Sequence, residues 1–269
     1  MAPMKPPITA FGLNDPVASL THLFGAATFL VLSIPMIRRS VGSRVKWISL
    51  AVFAVSAVML LMASGIFHAL PSDTPGRDIF KRLDHASIFV LIAGTMTPIH
   101  AILFKGFMRW GVLILIWTAA LVGITLKTIF FESTPEWLGI SVYLVMGWSG
   151  VVSMIGAWRQ HSLRFVSPLI IGGIAYTVGA LCEFTGEPTL IEGVVRSHEV
   201  FHIAVLVGLG SMWGFIVRLS KLDLGHTKQT VESAIETNPV DLEGHVEVAS
   251  GLVADVRVNS MNGKTTQPR

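Results

Sequence analysis

The chain has 269 residues, 52% of them hydrophobic and only 14% charged, and its mean hydropathy of +0.64 is a value that soluble domains of this size rarely reach. The formal charge of +3 comes from short clusters between apolar segments, such as Arg38, Arg39, Arg44 and Lys46; no basic stripe is interleaved with aromatic residues, which excludes nucleic acid as a partner. A single cysteine, Cys182, excludes an internal disulfide and a cysteine-based zinc ribbon, and reads as a small apolar filler.

The first residues, Met1 to Pro16, carry one lysine and no compact basic region leading into a short apolar core. The apolar segment that follows is long enough to span a bilayer and has no clear small-residue cleavage site, so it reads as a retained helix rather than a signal peptide. Apolar stretches of about 20 residues then recur, the length that crosses roughly 30 Å of hydrocarbon at about 1.5 Å per residue. They predict helices over 18–37, 47–70, 84–104, 110–130, 137–158, 166–185 and 195–219. A lipid-embedded segment must satisfy its own backbone hydrogen bonds, so helix is the only assignment for such runs. The fold class is therefore all-α: a polytopic integral membrane protein with a seven-transmembrane-helix bundle.

Breakers stand where these helices should end: Pro71 to Gly76, Lys105-Gly106, Ser133 to Pro135, Arg159 to Ser162 and Gly186 to Pro188. Short connections make sequential helices antiparallel neighbours. Small residues (Gly25, Ala26 and Ala27; Gly172, Gly173, Ala175, Gly179 and Ala180) allow the backbones to approach closely, giving a tight bundle rather than a wide pore. Residues 1–17 read as an N-terminal tail, 18–219 as the membrane domain and 220–269 as a disordered polar tail, rich in Ser, Thr, Asn, Glu and Lys and dispensable for folding. Within that tail the alternation at His245 to Val248 and Asp255 to Val258 can form at most a marginal hairpin.

Ionisable groups within membrane spans are costly, so those in or at the ends of these helices are the functional candidates. Ser64 and His68 stand four apart, on one face, near the end of the second helix. Asp84 opens the third helix. His198 and His202 stand four apart at the start of the seventh. The end of helix two and the starts of helices three and seven share one membrane face, so three histidines, an aspartate and a serine lie at one depth. Neutral imidazole is a good zinc ligand, and two histidines from one helix with a third from another leave a tetrahedral ion one open position, as a catalytic zinc requires.

His198 to His202 also spells H-E-x-x-H, the zinc-protease pattern in which the glutamate is the base; Glu199 at a helix start has the plainer explanation of an anion favoured by the helix dipole. His22 and His85 are candidates to fix the tautomer of a ligand histidine. His100 reads as interfacial, and His161, His226 and His245 lie in a loop or the tail.

The sequence resembles the hemolysin III family, the bacterial branch of the progestin and adipoQ receptor family, in the superfamily that includes alkaline ceramidases. Besides the Ser64/His68, Asp84 and His198/His202 set, the resemblance rests on Thr21-His22 with Gly25-Ala26, on Leu91 to Pro98, on Met146-Gly147-Trp148 and on Gly172 to Ala180, in order along residues 18–219. It implies a seven-helix receptor-like bundle with zinc held by His68, His198 and His202, Asp84 beside the reacting water and Ser64 lining the reacting centre. The acidic residue that precedes the helix-one histidine in the family appears as Asp15. The chain departs at Ala18, where the family has asparagine, and at Glu199, a position commonly not acidic in the family, which argues against an essential glutamate base.

The resulting expectation is a zinc-dependent hydrolase of a lipid-like, ceramide-like amide in the bacterial plasma membrane, its substrate entering laterally from the surrounding lipids. Two other readings stand beside it: a receptor or membrane-homeostasis sensor whose zinc is structural, and a pore-forming cytolysin, which should show polar stripes along several helices. Orientation draws conflicting expectations. The excess of lysine and arginine on the C-terminal side places that side in the cytoplasm, whereas the resemblance implies a cytoplasmic N-terminus and zinc site; the family orientation is the one expected here.

Overall fold

The computed structural model describes residues 13–192 and 194–222, so the expected tail and its hairpin lie outside the described residues. Eight helical segments follow one another: α1 Pro16–Arg38, α2 Arg44–Ala69, α3 Pro75–Leu103, α4 Phe107–Ile129, α5 Glu136–Trp148, α6 Gly150–Gln160, α7 Leu163–Thr185 and α8 Ser197–Ser220. Segments α5 and α6 are separated by Ser149 alone and together make one span, so among the described residues seven helices are long and apolar enough to cross a membrane. The protein is an all-α, multi-pass integral membrane protein. Start and stop signals are local: proline sits in the first turn of α1 and α3, the Ser162 side chain accepts a hydrogen bond from the Phe165 amide at the start of α7, and Gly186 ends α7 with φ of 72°, a conformation that costs glycine little.

Two of these elements differ from expectation. Helix α3 begins at Pro75, nine residues before 84, so Asp84 lies in the third turn rather than at the helix start. The cause is that Arg77, Asp78, Lys81 and Arg82 interrupt the apolar run without interrupting the helix. The fifth span is not a continuous helix. At Ser149 the backbone stays in the right-handed helical region while the hydroxyl turns back onto the Met146 carbonyl at 2.6 Å, a bond that competes with the helix ladder.

Helices α1, α2 and α8 meet around Phe29, Phe53 and Trp213, whose rings lie 5.2 and 5.5 Å apart by centroid, with Leu50, Leu61, Leu209 and Phe215 fully buried about them. A second cluster, Phe89, Ala93, Ile116, Ala120 and Met146, joins α3 to α4 and α5. Close approach depends on glycine at two points. A Cβ on Gly179 would stand 2.7 Å from the Ala204 Cβ, which packs α7 on α8, and one on Gly94 would overlap the Ser56 hydroxyl, which packs α3 on α2. His100, expected at an interface, is instead fully buried: its Nδ1 faces the Met108 carbonyl and its Nε2 pairs with the Ser153 hydroxyl at 2.8 Å, tying α3 to α6.

Candidate metal centre

The C-terminal end of α2, the third turn of α3 and the first turns of α8 meet at one end of the bundle. His68 and His202 are buried and His198 is half-buried. Their Nε2 atoms converge: His198 Nε2 lies 3.2 Å from that of His68 and 3.1 Å from that of His202, and one ligand atom from each ring lies within 4.8 Å of the others.

The opposite edges of two of these rings explain the convergence. His68 Nδ1 lies 3.1 Å from Asp15 Oδ2, and His198 Nδ1 lies 3.1 and 3.2 Å from the Glu183 oxygens. An ionised carboxylate only accepts, so each Nδ1 carries a proton and donates it, and in the neutral form that ligates a metal each ring turns its Nε2 lone pair inward. Two lone pairs facing each other at this distance repel unless positive charge lies between them. Imidazole nitrogens bound at about 2.0–2.1 Å to one tetrahedral ion stand about 3.3–3.4 Å apart. The three rings are therefore placed so that they could hold a single metal ion. At His202 the inner ring differs: Nδ1 is buried without a partner among the described residues, and the ring rests on His22 with centroids 4.0 Å apart.

Asp15 is itself held by several donors. Burial opposes its charge, but hydrogen bonds from His68, Arg77 and Asn14 outweigh that cost and keep its carboxyl far below the usual carboxylate range. Arg77, delivered by the early start of α3, donates to Asp15 Oδ2 at 3.0 Å and to the Phe67 and Leu70 carbonyls at 3.1 and 2.6 Å. It thus satisfies the open carbonyls at the end of α2 while fixing the acid that orients His68. The Asp15 amide donates to the His68 carbonyl, and Ser19 Oγ donates to the Gly65 carbonyl at 2.9 Å, so the start of α1 is stitched to the end of α2.

Asp84 and Ser64 stand beside this centre as a pair. Ser64 of α2 lies close to the Asp84 carboxyl of α3, which is also within electrostatic reach of His198. All five residues singled out from the sequence are thus brought together. His22 touches the site through the His202 carbonyl, 3.4 Å from its Nε2. His85 does not orient a ligand; its Nδ1 donates to the Lys81 carbonyl of its own helix at 2.8 Å. Glu199 accepts the Arg196 amide at 2.9 Å, closing the first turn of α8 as a capping residue does. Glu183 was not foreseen. It lies at the end of α7, fifteen residues before His198, with no sequence spacing that points to its partner.

A profile described as "Haemolysin-III related" matches residues 12–213. The chain is 31% identical over 210 residues to the hemolysin-3 homolog of Bacillus subtilis (strain 168), covering 76% of this chain and 93% of that protein. It is 30% identical over 210 residues to hemolysin-3 of Bacillus cereus, covering 77% and 91%. A more distant match, 25% identical over 221 residues and covering 72% and 66%, is heptahelical transmembrane protein 1 of Arabidopsis thaliana.

Proposed function

This chain belongs to the haemolysin-III related family, and from that premise and the geometry of its histidines we propose that it is a zinc-dependent hydrolase of an amide-linked membrane lipid, ceramide-like in having a long acyl chain on nitrogen. The observation that carries the reading is the convergence of three Nε2 atoms, with a buried serine and an aspartate from another helix close by. His68, His198 and His202 are the residues that would hold the ion. Zinc, when bound there, supplies a Lewis acid and brings the pKa of water towards neutrality.

Asp84 is the acceptor for the proton that water loses as its oxygen adds to the acyl carbon. At rest Ser64 is engaged by the Asp84 carboxylate; once Asp84 is protonated that acceptor weakens, and the hydroxyl is free to donate to the oxygen on which negative charge develops. Asp84 then returns the proton to nitrogen as the carbon–nitrogen bond breaks, leaving a fatty acid and an amine. The substrate comes sideways from the bilayer. Every one of these side chains sits on a membrane span, and His198, the most open of the three ligands at 38% side-chain exposure, marks the entrance.

The test is zinc content and hydrolysis of a ceramide by the purified protein, with Asp84→Asn alongside. The variant keeps volume but loses the accepting charge. It should retain zinc while hydrolysis falls by about 10²–10⁴-fold, the usual loss for a general base. Zinc without hydrolysis of any acyl amide by the wild-type protein would favour a receptor with a structural metal instead.

A further inference from the structure

At the opposite end of the bundle, a groove of about 480 Å³ lies between α1 and α2, within the range of small-molecule sites. Its walls are aliphatic, formed by residues such as Leu30, Ile34, Val55 and Met59, and Arg38, the last residue of α1, stands at one end. The cause of the groove is legible locally. Ala54 contributes little side chain to the α2 wall.

Among the described residues, the surroundings of Arg38 are one-signed. Arg38, Arg39 and Arg44 are exposed, and none of their side chains has a hydrogen bond or ion pair among the described residues. No aspartate or glutamate occurs between 38 and 46, nor in the other connections at this end, 103–107 and 160–163, nor at the end of α8, 218–222. Lysines and arginines do occur there: Lys105, Arg109, Arg159, Arg164, Arg218 and Lys221. A slot with hydrocarbon walls along a membrane span, Arg38 at one end and Arg39 and Arg44 near it in the chain matches a two-part ligand, an acyl chain carrying an anionic head. Basic pockets between membrane helices select anionic lipid head groups on this principle.

We propose that the α1–α2 groove is a binding site for an anionic phospholipid, with one acyl chain lying along Ile34, Val55 and Met59 and the phosphate held by Arg38 and its neighbours Arg39 and Arg44. The site is remote from the histidine centre and independent of what that centre does.

The experiment is native mass spectrometry of the full-length protein titrated with phosphatidylglycerol or phosphatidylcholine of identical acyl chains. The wild-type protein should take up its first phosphatidylglycerol at least about fivefold more tightly than phosphatidylcholine. Arg38→Gln should reduce that preference by about fivefold, the effect of one basic contact near an anionic head. Val55→Trp, which fills the groove from a position already 66% exposed, should weaken phosphatidylglycerol uptake. Val152→Trp, at a similarly exposed site on α6, should not. Equal affinity of the wild-type protein for the two lipids would overturn the proposal, as would a phosphatidylglycerol preference that survives both Arg38→Gln and Val55→Trp.

Discussion

At His68 and His198 one device is used twice. A carboxylate takes the Nδ1 proton, and the freed Nε2 lone pair is aimed at its neighbours. The acids come from different places, Asp15 ahead of α1 and Glu183 at the end of α7, and neither shares a helix with the ring it orients. Asp15→Ala and Glu183→Ala should each lower metal affinity by about 10–100-fold, the usual cost of losing such a partner, read by competition with a chelator of known affinity. Glu199→Gln should leave affinity unchanged, because the amide oxygen still accepts the Arg196 N–H. A silent Glu183→Ala or a damaging Glu199→Gln would reverse their roles. That His68, His198 and His202 come together was legible in the sequence because fourfold spacing and shared depth are local properties of spans that can be counted. Glu183 was not, because its partnership is created by the turn between α7 and α8, whose path no spacing rule describes. His100 was misread for a related reason: a histidine near a helix end looks interfacial until α6 brings Ser153 to its Nε2.

Among elements, the seven spans announce themselves because hydrocarbon thickness sets a length that the chain must meet with unbroken apolar sequence. Details that depend on charge or on a single hydroxyl do not. The early start of α3 was hidden by its four charged residues, although it is this extension that carries Arg77 to Asp15. The lapse at Ser149 has no proline to mark it. Helix approach, by contrast, was anticipated from the small residues of α7, and it yields a test. Gly179→Val puts two methyl groups where even a Cβ meets Ala204 at 2.7 Å, and should destabilise the bundle by about 1–3 kcal/mol, the range for overpacking. Gly173→Ala, where nothing lies within 4 Å of the added carbon, should be close to neutral. Thermal unfolding of the two proteins in the same detergent separates them; equal losses would mean that the α7–α8 contact is looser than described.

For the whole molecule, the seven spans place the two ends of the bundle on opposite sides of the membrane, with the histidine centre at one end and the densest run of lysine and arginine at the other. Positive charge draws that basic end to the cytoplasm, whereas Arg77, Lys81 and Arg82, within the first turns of α3, draw the histidine end there. We expect the family orientation, with the centre on the cytoplasmic side; a reporter fused after residue 269 should then read as external, and a cytoplasmic signal would reverse the assignment. The proposed chemistry requires three imidazoles to hold one ion. Its most direct test is the zinc stoichiometry of the purified wild-type protein and of the His68→Ala, His198→Ala and His202→Ala proteins, each shown to be folded by its helical content. One zinc per chain in the wild type and far less than one in every variant is the predicted result; an undiminished zinc in the His202→Ala protein would contradict it.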